Sequence, residues 1–476
     1  MAGLFHTLNM GASSLFANRQ GVDTTGHNIA NAQTEGFSRQ RVNLEQRFPQ
    51  EIRGLLLGNG VFVRNITRAH DKFLENQIND HNQTLGQSNT RHDEIKSIEE
   101  IFSPELSSSI SDEMIAFFNT LQDLSSFPEE ITVRTAVKEY GQNLVNSFKR
   151  VDTRLREYQN DINFKLKAET EEINRILDDM ARLNIQINTA EAGQFKKAND
   201  LRDQQDRLLR ELSHKMEINY YRGDMGGLVV HGPNDRLLVD RNWSASMHVQ
   251  HNSAEDLLYD VVVVDSKGKV ASIVTEKNSK GRLHGLVRVR DHDIEELLSQ
   301  NNTLAHSFVK NFNAVHRQGY GINSFSENTG RDFFVEVSDD QIDHAVRELR
   351  LSDYIMSSTD AISAAGRPNA PGDNINLNNL LRLKDDKLMA NGNATFNDYY
   401  ANMVSVFGLE VVREGNANEA NKVIGADLKS RREAVAGVSL DEEAANLLRW
   451  QTAFTASSRV ITTVDEMLET VLGLKR

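Results

Sequence analysis

Both ends of the chain carry apolar residues at seven-residue intervals. Nine residues make up these two rows: Leu8, Leu15, Val22 and Ile29 near the N-terminus, and Leu440, Leu447, Phe454, Ile461 and Leu468 near the C-terminus. A seven-residue spacing places side chains along one side of a helix, which is typical of a coiled coil. The pattern predicts two terminal helices that pair with each other and with other copies of the chain. We call the nine residues the predicted seam.

The N-terminal helix is expected to be weak in isolation. Gly3, Gly11, Gly21 and Gly26 each cost about 1 kcal/mol relative to alanine within a helix. The small residues at 11–14 would allow another helix to approach closely, which is a use for such a costly composition. This segment is therefore predicted to become stable when it packs against a partner helix.

The C-terminal helix has clearer boundaries. Ser439 and Glu442 have the spacing of a capping box, and Gly473 lies where a helix C-cap is expected. The intervening segment predicts a helix of about 33 residues, roughly 50 Å long at 1.5 Å per residue.

The longest helical pattern covers residues 137–214. Its apolar positions alternate at spacings of four and three, with Glu169 interrupting the row and a bend expected at Gly193. Further helices are predicted around 294–315 and 396–434. Residues 364–379, rich in Asn, Gly and Pro, predict a surface loop.

Two segments predict β structure. Asn59 and Gly60 lie between apolar runs, which predicts a β-hairpin over 51–66 with a type I′ turn. Between 216 and 288 the apolar period changes to that of strands, separated by the turn sequences "GDMGG", "GPND" and "DSKGK". This segment predicts a small β insertion.

These patterns predict a mainly α protein with a smaller β part, of the α+β class. Residues 1–45 and 437–476 are expected to pair as a terminal coiled-coil domain. Residues 46–215 and 289–436 predict an inner, mainly helical domain, and 216–288 is the insertion.

Composition excludes several classes of function. The 476-residue chain has a formal charge of −14, so a nucleic-acid partner is not expected, because phosphate binding needs a basic face. It has no cysteine, which excludes disulfides and thiolate chemistry. No apolar run approaches the length of a membrane span, so membrane insertion is not expected. The start of the chain lacks the pattern of a cleavable signal peptide, so we expect either a cytoplasmic protein or export without cleavage.

No group of residues predicts catalysis. Asp291 and Asp293 flank His292, but they are expected to open a helix, where acidic residues favour the dipole. His27 could be named as a general base, yet no partner for it is evident, and a hydrogen-bonded loop histidine is far commoner. We therefore predict no catalytic, metal or cofactor site.

The segment "NIANAQTEGFSRQR" at 28–41 resembles the "NxANxxTxGF" signature of bacterial flagellar rod, hook and hook-associated proteins. Its "SRQ" at 38–40 is most similar to the hook-associated members found between hook and filament. The same resemblance extends to segments at 58–77, 198–213, 330–334 and 438–473, in the expected order.

The resemblance implies a structural protein of the flagellum that is not an enzyme. It implies export through the flagellar type III apparatus without signal cleavage, with an export chaperone on the C-terminal helix. Several copies would form a ring-like layer at the tip of the hook, in contact with hook protein and with the next hook-associated junction protein. Family members often carry a large β domain after the position of Phe334, and here such a domain is expected to be small or missing.

The signature segment is expected to act as a hinge between the terminal coiled coil and the inner domain. Its Asn, Thr and Gly residues supply local hydrogen bonds and conformational freedom for a chain reversal. The predicted hinge residues are Asn28, Asn31, Thr34, Gly36 and Phe37.

Several alternatives remain open. Flagellin lacks the "TxGFSRQ" type of loop, and hook or rod protein would be expected to have a mainly β body. An enzyme acting on the cell wall would require paired acidic residues in a cleft, and no pair can be chosen from the sequence. A cytoplasmic coiled-coil scaffold would share the apolar rows but gives no reason for the missing cysteine or the glycine-rich first helix.

Overall fold

The computed structural model describes residues 2–52, 54–102, 108–193, 197–223, 226–252, 258–264 and 269–473. The predicted turns at 224–225 and 265–268 lie outside these residues. The described part of the chain is mainly helical. Its α-helices are α1 (Ala2–Ala30), α2 (Lys72–Glu99), α3 (Ile110–Ser126), α4 (Ile131–Ala190), α5 (Asn199–Lys215), α6 (Gly281–Arg288), α7 (Ile294–His316), α8 (Ala345–Glu348), α9 (Asp353–Ser357), α10 (Ile375–Arg382), α11 (Phe396–Ala436) and α12 (Leu440–Gly473).

The strands of the described residues form small antiparallel sheets. They are β1 (Gln40–Gln46), β2 (Gln50–Ile52), β3 (Leu55–Leu57), β4 (Val61–Arg68), β5 (Asn219–Arg222), β6 (Leu228–Gly232), β7 (Arg236–Asp240), β8 (Trp243–Ser244), β9 (Ser246–His251), β10 (Tyr259–Val264) and β11 (Val270–Ile273). The sheet orders are β1-β4, β2-β3, β5-β6-β7-β8 and β11-β10-β9. The α+β class predicted from the sequence is confirmed.

We call residues 72–436, from α2 to α11, the body of the molecule. Its longest helix is α4, with 60 residues. Its apolar row is buried along the whole helix, as the sequence predicted for this segment. Glu169, which interrupts the row, is also buried, and its carboxylate lies 3.0 Å from Nζ of Lys215 on α5. The interruption is therefore a buried ion pair that joins α4 to α5, since a buried charge needs such a partner.

One end of the body is held by an aromatic cluster. Phe117 of α3, Phe308 and Phe312 of α7, and the adjacent Phe333 and Phe334 have ring centroids 4.8 to 6.4 Å apart. All five side chains are almost fully buried. Large rings in mostly edge-on contact fix α3, α7 and the segment after α7 relative to one another.

The β insertion belongs to the body. On α4, the Asn174 side chain exchanges two hydrogen bonds with the backbone of Met247, at 2.7 and 2.8 Å. The Asn184 side chain does the same with Leu228, at 2.8 Å for both bonds. Apolar side chains from both sheets join the same buried core as α4. The sheets are thus bound to α4 by asparagines that satisfy strand backbone groups.

The predicted turn of the β-hairpin is wrong. β1 and β4 pair as a longer arm, residues 40–68, and the short β2-β3 hairpin at its tip turns beside Gly54, where φ is +79°. Asn59 and Gly60 lie between β3 and β4 instead. A Cβ on Gly60 would lie 2.5 Å from Ser13 Oγ of α1. This glycine therefore allows the arm to approach α1 closely, a tertiary role that the local Asn-Gly pattern does not reveal.

Two further expectations need correction. Residues 364–379 are not all surface loop, because α10 begins at Ile375 and Leu377 is fully buried. Asp291 and Asp293 do not open a helix, because a π-helical segment, Val289–Asp293, joins α6 to α7. Asp293 binds Arg91 with both carboxylate oxygens, at 3.0 and 3.1 Å. Ion pairing, rather than a helix dipole, accounts for its charge.

The region after Phe334 contains short helices. α8, α9 and α10 follow there, and within the described residues the last strand of a sheet ends at Ile273. This arrangement agrees with the expectation that a large β domain is missing at that position.

Candidate assembly site at the paired chain ends

α1 and α12 pack side by side in antiparallel directions, and we call these two helices the terminal pair. Ser14 Oγ lies 2.9 Å from Ser457 Oγ, and Asn18 Nδ2 donates to the same hydroxyl at 3.0 Å. At the other end of the pair, Asn28 Nδ2 donates to Glu443 Oε2 at 2.9 Å. The two chain ends therefore pair with each other, as the sequence predicted, through small and polar groups.

Glycines bring the two helices close together. A Cβ on Gly21 would lie only 2.4 Å from the Trp450 ring, and one on Gly11 would lie 3.1 Å from Ile461. Real Cβ atoms are not found as close as 2.4 Å to another carbon, so the Trp450 ring occupies space that only glycine leaves open. Gly11 and Gly21 of α1 are thus explained by the closeness of α12.

The predicted seam residues of α1 lie beside this contact, whereas Ile461 of the row on α12 lies within it. Leu8, Leu15, Val22 and Ile29 are half-buried and flank the contact row of α1. On α12, Leu447, Phe454, Ile461 and Leu468 are half-buried, and Leu440 is 54% exposed. Ile461 and Trp450 lie against glycines of α1. Their role in assembly remains a prediction.

The predicted seam does not include the residues that make the closest contacts on α1. These residues recur at spacings of three, four and seven and are small or polar: Gly11, Ser14, Asn18, Gly21 and Asn28. The small residues at 11–14 were the available sign, because a close helix pair favours small side chains over leucine rows.

Most of the α12 surface remains uncovered. Only Glu443, Ser457 and Val464 are buried in this 34-residue helix. Thr452, Thr455, Ser458, Thr462 and Thr470 each donate their hydroxyl to the carbonyl four residues earlier. These hydroxyls are satisfied within the helix, and the exposed side chains of α12 include aliphatic residues such as Leu448 and Val460 together with charged residues such as Arg459 and Glu466.

Asn28, the first predicted hinge residue, joins three segments. It lies in the last turn of α1 and is only 1% exposed. Its side chain accepts from Gln40 N and donates to Gln40 O, both at 2.9 Å. It thus pairs with the start of β1 as the backbone of a neighbouring strand would. Its donation to Glu443 adds α12 to the same point. Asn28 thus fixes the β arm and both terminal helices together.

The other hinge residues shape the reversal after α1. Asn31 donates its side chain to His27 O at 3.0 Å, and Thr34 Oγ1 donates to Asn31 Oδ1 at 3.2 Å. Gly36 has a φ of +81°, which a residue with a Cβ adopts at a cost. The Phe37 ring packs edge-on against His27, with centroids 5.5 Å apart. The segment forms one hydrogen-bonded turn.

Arg39 connects this turn to the start of α12. Its guanidinium binds Glu442 and Glu443, with N–O distances of 2.6 Å to each. Burial alone would lower the pKa of Arg39, but its hydrogen bonds to the two carboxylates raise it. The predicted capping box is therefore not reciprocal. Ser439 Oγ accepts from Glu442 N at 3.5 Å, while the Glu442 carboxylate binds Arg39 instead.

Two more ion pairs attach the terminal pair to the body. Arg68, at the end of β4, lies 2.6 Å from both Asp203 and Asp206 of α5. Arg432 of α11 binds Glu75 of α2 at 2.9 Å and donates to the carbonyl of Gly36 at 3.0 Å. These groups are nearly all buried, so breaking one partner would leave an uncompensated charge.

The site offers packing surfaces rather than reactive groups. His27 contacts Asp200 at 3.2 Å near the surface. Within the part of the chain that the structure describes, no cluster of three His, Cys, Asp or Glu side chains is arranged to hold a metal ion. None of its described helices has the length and apolar character needed to cross a membrane.

Comparison with known proteins agrees with this arrangement. The family described as the flagellar hook-associated protein FlgK helical domain matches residues 95–334, and the C-terminal segment of flagellar basal body rod FlgEFG proteins matches residues 433–474. Flagellar hook-associated protein 1 of Bacillus subtilis is 27% identical over 511 residues, covering 99% of each chain. That of Salmonella typhimurium is 26% identical over 557 residues, covering 98% of this chain and 99% of the relative.

The fold also has a solved counterpart. The flagellar hook junction protein FlgK from Burkholderia pseudomallei superposes with a TM-score of 0.68 at 14% identity, over 76% of this chain and all of that one. The similarities define a structural protein of the bacterial flagellum. More specifically, the chain belongs to the FlgK family of hook-associated proteins, which has a structural role at the junction of hook and filament. The resemblance seen in the sequence is confirmed.

Proposed function

We propose that the paired chain ends are the element through which this chain assembles into an adaptor layer between hook and filament. The layer consists of copies of the chain in a ring, with hook protein on one side and the next hook-associated junction protein on the other. One observation carries the proposal. The segment that matches basal body rod proteins is essentially α12, whereas the helical body matches hook-associated proteins. A segment shared by different flagellar proteins is suited to a shared mode of assembly.

The surface of the terminal pair supports this role. Residues 2–18 contain no Asp, Glu, Lys or Arg, although part of this helix faces solvent in the single chain. Phe16 is 73% exposed on α1, and Leu448 and Leu472 are 65% and 61% exposed on α12. Exposed apolar surface of this extent marks an interaction site in a soluble protein.

The same surface bears on export. Assembly at the hook places the protein outside the cell, and the export proposed here takes place through the flagellar type III apparatus without signal cleavage. Before export, the exposed apolar side chains of α12 would promote aggregation unless they were covered. A chaperone bound to α12 would provide that cover.

Two glycine substitutions on α1 test the proposal. Gly21→Ala places a methyl group 2.4 Å from the Trp450 ring, while Gly26→Ala has no atom within 4 Å of the new Cβ. Both changes add similar helix propensity, about 1 kcal/mol, so they differ mainly in the helix pairing. In cells that lack the native gene, we expect Gly21→Ala to reduce filament attachment and Gly26→Ala to retain it.

A compensating variant separates pairing from other effects. Trp450→Ala removes the ring that the Gly21→Ala methyl group would meet. Combining the two changes is expected to recover part of the attachment lost by Gly21→Ala alone. Normal attachment by Gly21→Ala, at the same secreted level as Gly26→Ala, would overturn the role of the paired ends.

We also propose that the chain has no enzymatic activity. Its family is structural, and the buried ion pairs described above are explained by packing between helices. The alternative is an enzyme acting on the cell wall. Release of soluble fragments from purified peptidoglycan by the purified chain would support that alternative, and no release is expected.

A further inference from the structure

The tip of the β arm carries apolar side chains that its own chain leaves exposed. Phe48 is 92% exposed, and Leu55, Leu56 and Leu57 are 65%, 76% and 37% exposed. Successive residues of a strand point to opposite faces, so Leu55 and Leu57 lie on one face of the β2-β3 hairpin and Leu56 on the other. Each face of the tip therefore carries an exposed leucine, with Glu51 beside Leu56 on one of them, which suits insertion into a groove better than contact with a flat surface.

An isolated two-stranded hairpin is at best marginally stable in water. β2 and β3 pair only with each other among the described strands. Their outer backbone edges and both faces are thus available to another surface. The tip gains most if that surface covers both faces at once, because each exposed leucine is then removed from water.

A groove of about 510 Å³ lies at the opposite end of the terminal pair. The apolar part of its lining is Gly21, Val42, Ala445 and Trp450, from α1, β1 and α12, and the other lining residues are polar or charged. Thr24 also lines it, and the Thr24 hydroxyl is buried without a hydrogen-bond partner among the described residues. A buried hydroxyl without a partner is costly, and the free backbone edge of an inserted strand could satisfy it.

The tip and the groove are too far apart to meet within one chain. His6 Nε2 lies 3.1 Å from the carbonyl of Gly58, which places the tip beside the first turns of α1. The groove lies around Thr24, 18 residues further along the same helix. At 1.5 Å per residue the separation along α1 is about 27 Å. Any contact between tip and groove must therefore join two chains.

One charge pair is available to the same contact, between Glu51 of the tip and arginines at the groove, and the tip sequence 47–54 also contains Arg47 and Arg53. Glu51 lies in β2 at the exposed tip, opposite Leu56. Arg41 and Arg449 are exposed at the rim of the groove, and the Arg449 guanidinium lies 5.4 Å from the Trp450 ring centroid. Arg39 within the groove is already bound to Glu442 and Glu443. Arg41 and Arg449 at the rim can therefore pair with the Glu51 carboxylate of an inserted tip.

We propose that the β-arm tip of one copy inserts into the groove of a second copy. The contact is heterologous, because tip and groove are different surfaces at opposite ends of the terminal pair, and such a contact continues from copy to copy into a ring or helical layer. It deepens the proposed function and rests on it, since it names the surfaces that join neighbouring copies.

The absence of cysteine allows a direct test by cross-linking. Leu56→Cys places a thiol at the tip, and Ala445→Cys places one in the groove. The two purified single-cysteine variants are mixed and oxidised, and covalent dimer is measured. A matched control mixes Leu56→Cys with Tyr354→Cys, which places a thiol at an exposed position of the body. We expect at least five times more dimer from the tip and groove mixture than from the control.

The outcomes separate the possible occupants. Equal dimer yields from the two mixtures would overturn insertion into a second copy. Preferential dimerisation of Leu56→Cys with itself would also overturn it, by indicating a symmetric contact between two tips. Neither result depends on filament attachment, so this contact can fail while the Gly21→Ala experiment still supports assembly through the paired ends.

A charge reversal provides a second readout. Glu51→Arg should lower the dimer yield of the tip and groove mixture several-fold, because the rim then repels the tip. The additional change Arg449→Glu in the groove partner should recover much of the yield. An unchanged yield with Glu51→Arg would contradict the charge pairing between tip and rim.

Discussion

α4 and α12 are both long helices with regular apolar rows, yet they bury those rows to very different extents. Along its 60 residues, α4 buries its apolar row almost completely, together with polar residues such as Asn184 and Glu169 that have partners on neighbouring elements. In its 34 residues, α12 buries only Glu443, Ser457 and Val464. α4 is surrounded by α3, α5, α7 and the two sheets, whereas α12 packs mainly along α1.

The difference in burial indicates that the body is stable by itself, whereas the terminal pair depends on other subunits for its stability. Apolar burial contributes about 25 cal/mol per Å², so the body has a large driving force of its own. The terminal pair has little, and α1 also contains costly glycines. We therefore expect substitutions in the body to change folding and substitutions in the terminal pair to change assembly.

The largest effect is expected in the aromatic cluster. Phe312 is 1% exposed and contacts Phe117, Phe308, Phe333 and Phe334. Phe312→Ala should lower the free energy of unfolding of the body by about 3 to 5 kcal/mol, because it leaves a large cavity. Denaturant titration followed by circular dichroism measures this change. A loss under 1 kcal/mol would indicate that the cluster is not the core of the body.

Acid is expected to destabilise the body next most strongly. Burial lowers the pKa of His316 to about 4, while its Nδ1–H donates to Arg331 O and its Nε2 accepts from Ser363 N. The folded state thus favours the neutral ring. This contribution is complete above the ordinary pKa of about 6.5 and is lost as the pH falls towards 4, at a total cost of about 3 kcal/mol.

Replacement of His316 tests that dependence. His316→Gln should be less stable at pH 7 but lose less stability than the native chain between pH 6.5 and 4. His344→Gln, at an exposed position, serves as the control and should keep the native pH dependence. Equal slopes in all three proteins would exclude His316 as the source.

A smaller, local effect is expected at the hinge. Asn28→Ala would leave the N–H and C=O of Gln40 and the Glu443 carboxylate without their shared partner. Unsatisfied buried groups cost about 1 to 3 kcal/mol, and here the loss lowers the stability of the terminal pair rather than that of the body. We expect faster amide exchange in α1 and weaker filament attachment, with α4 unchanged. Asn43→Ala, at an exposed position of β1, is the control.

The smallest effect on folding is expected on the outer face of α12. Leu448 is 65% exposed, so Leu448→Asp should change the free energy of unfolding by no more than about 0.5 kcal/mol. Filament attachment should nevertheless fall, because the change places a charge on the proposed assembly surface. If the body were destabilised while attachment stayed normal, the division of roles between the two helices would be reversed.

The sequence predicted best where stability comes from apolar burial along one helix. The row on α4 followed from apolar spacing, the boundaries of α12 followed from its cap residues, and even Glu169 was located as an interruption of the row. Its partner Lys215 could not be predicted, because that residue reaches α4 only through the packing of α5.

Prediction failed where tertiary contacts override a local pattern. The contact row of α1 consists of small and polar residues because α12 is so close. The predicted apolar row of α1 therefore lies beside the contact. At Gly60 the Asn-Gly pair serves the approach of the arm to α1, and the turn lies beside Gly54. The pairing of α1 with α12 was therefore predicted from the sequence, but its closest contacts required the structure.

Amide hydrogen exchange on the purified single chain tests the central claim most directly. We expect the amides of α4 to exchange slowly, at rates set by global unfolding, and those of α1 and α12 to exchange orders of magnitude faster. Slow exchange in α1 and α12, equal to that of α4, would contradict the claim that the chain ends depend on partners for their stability.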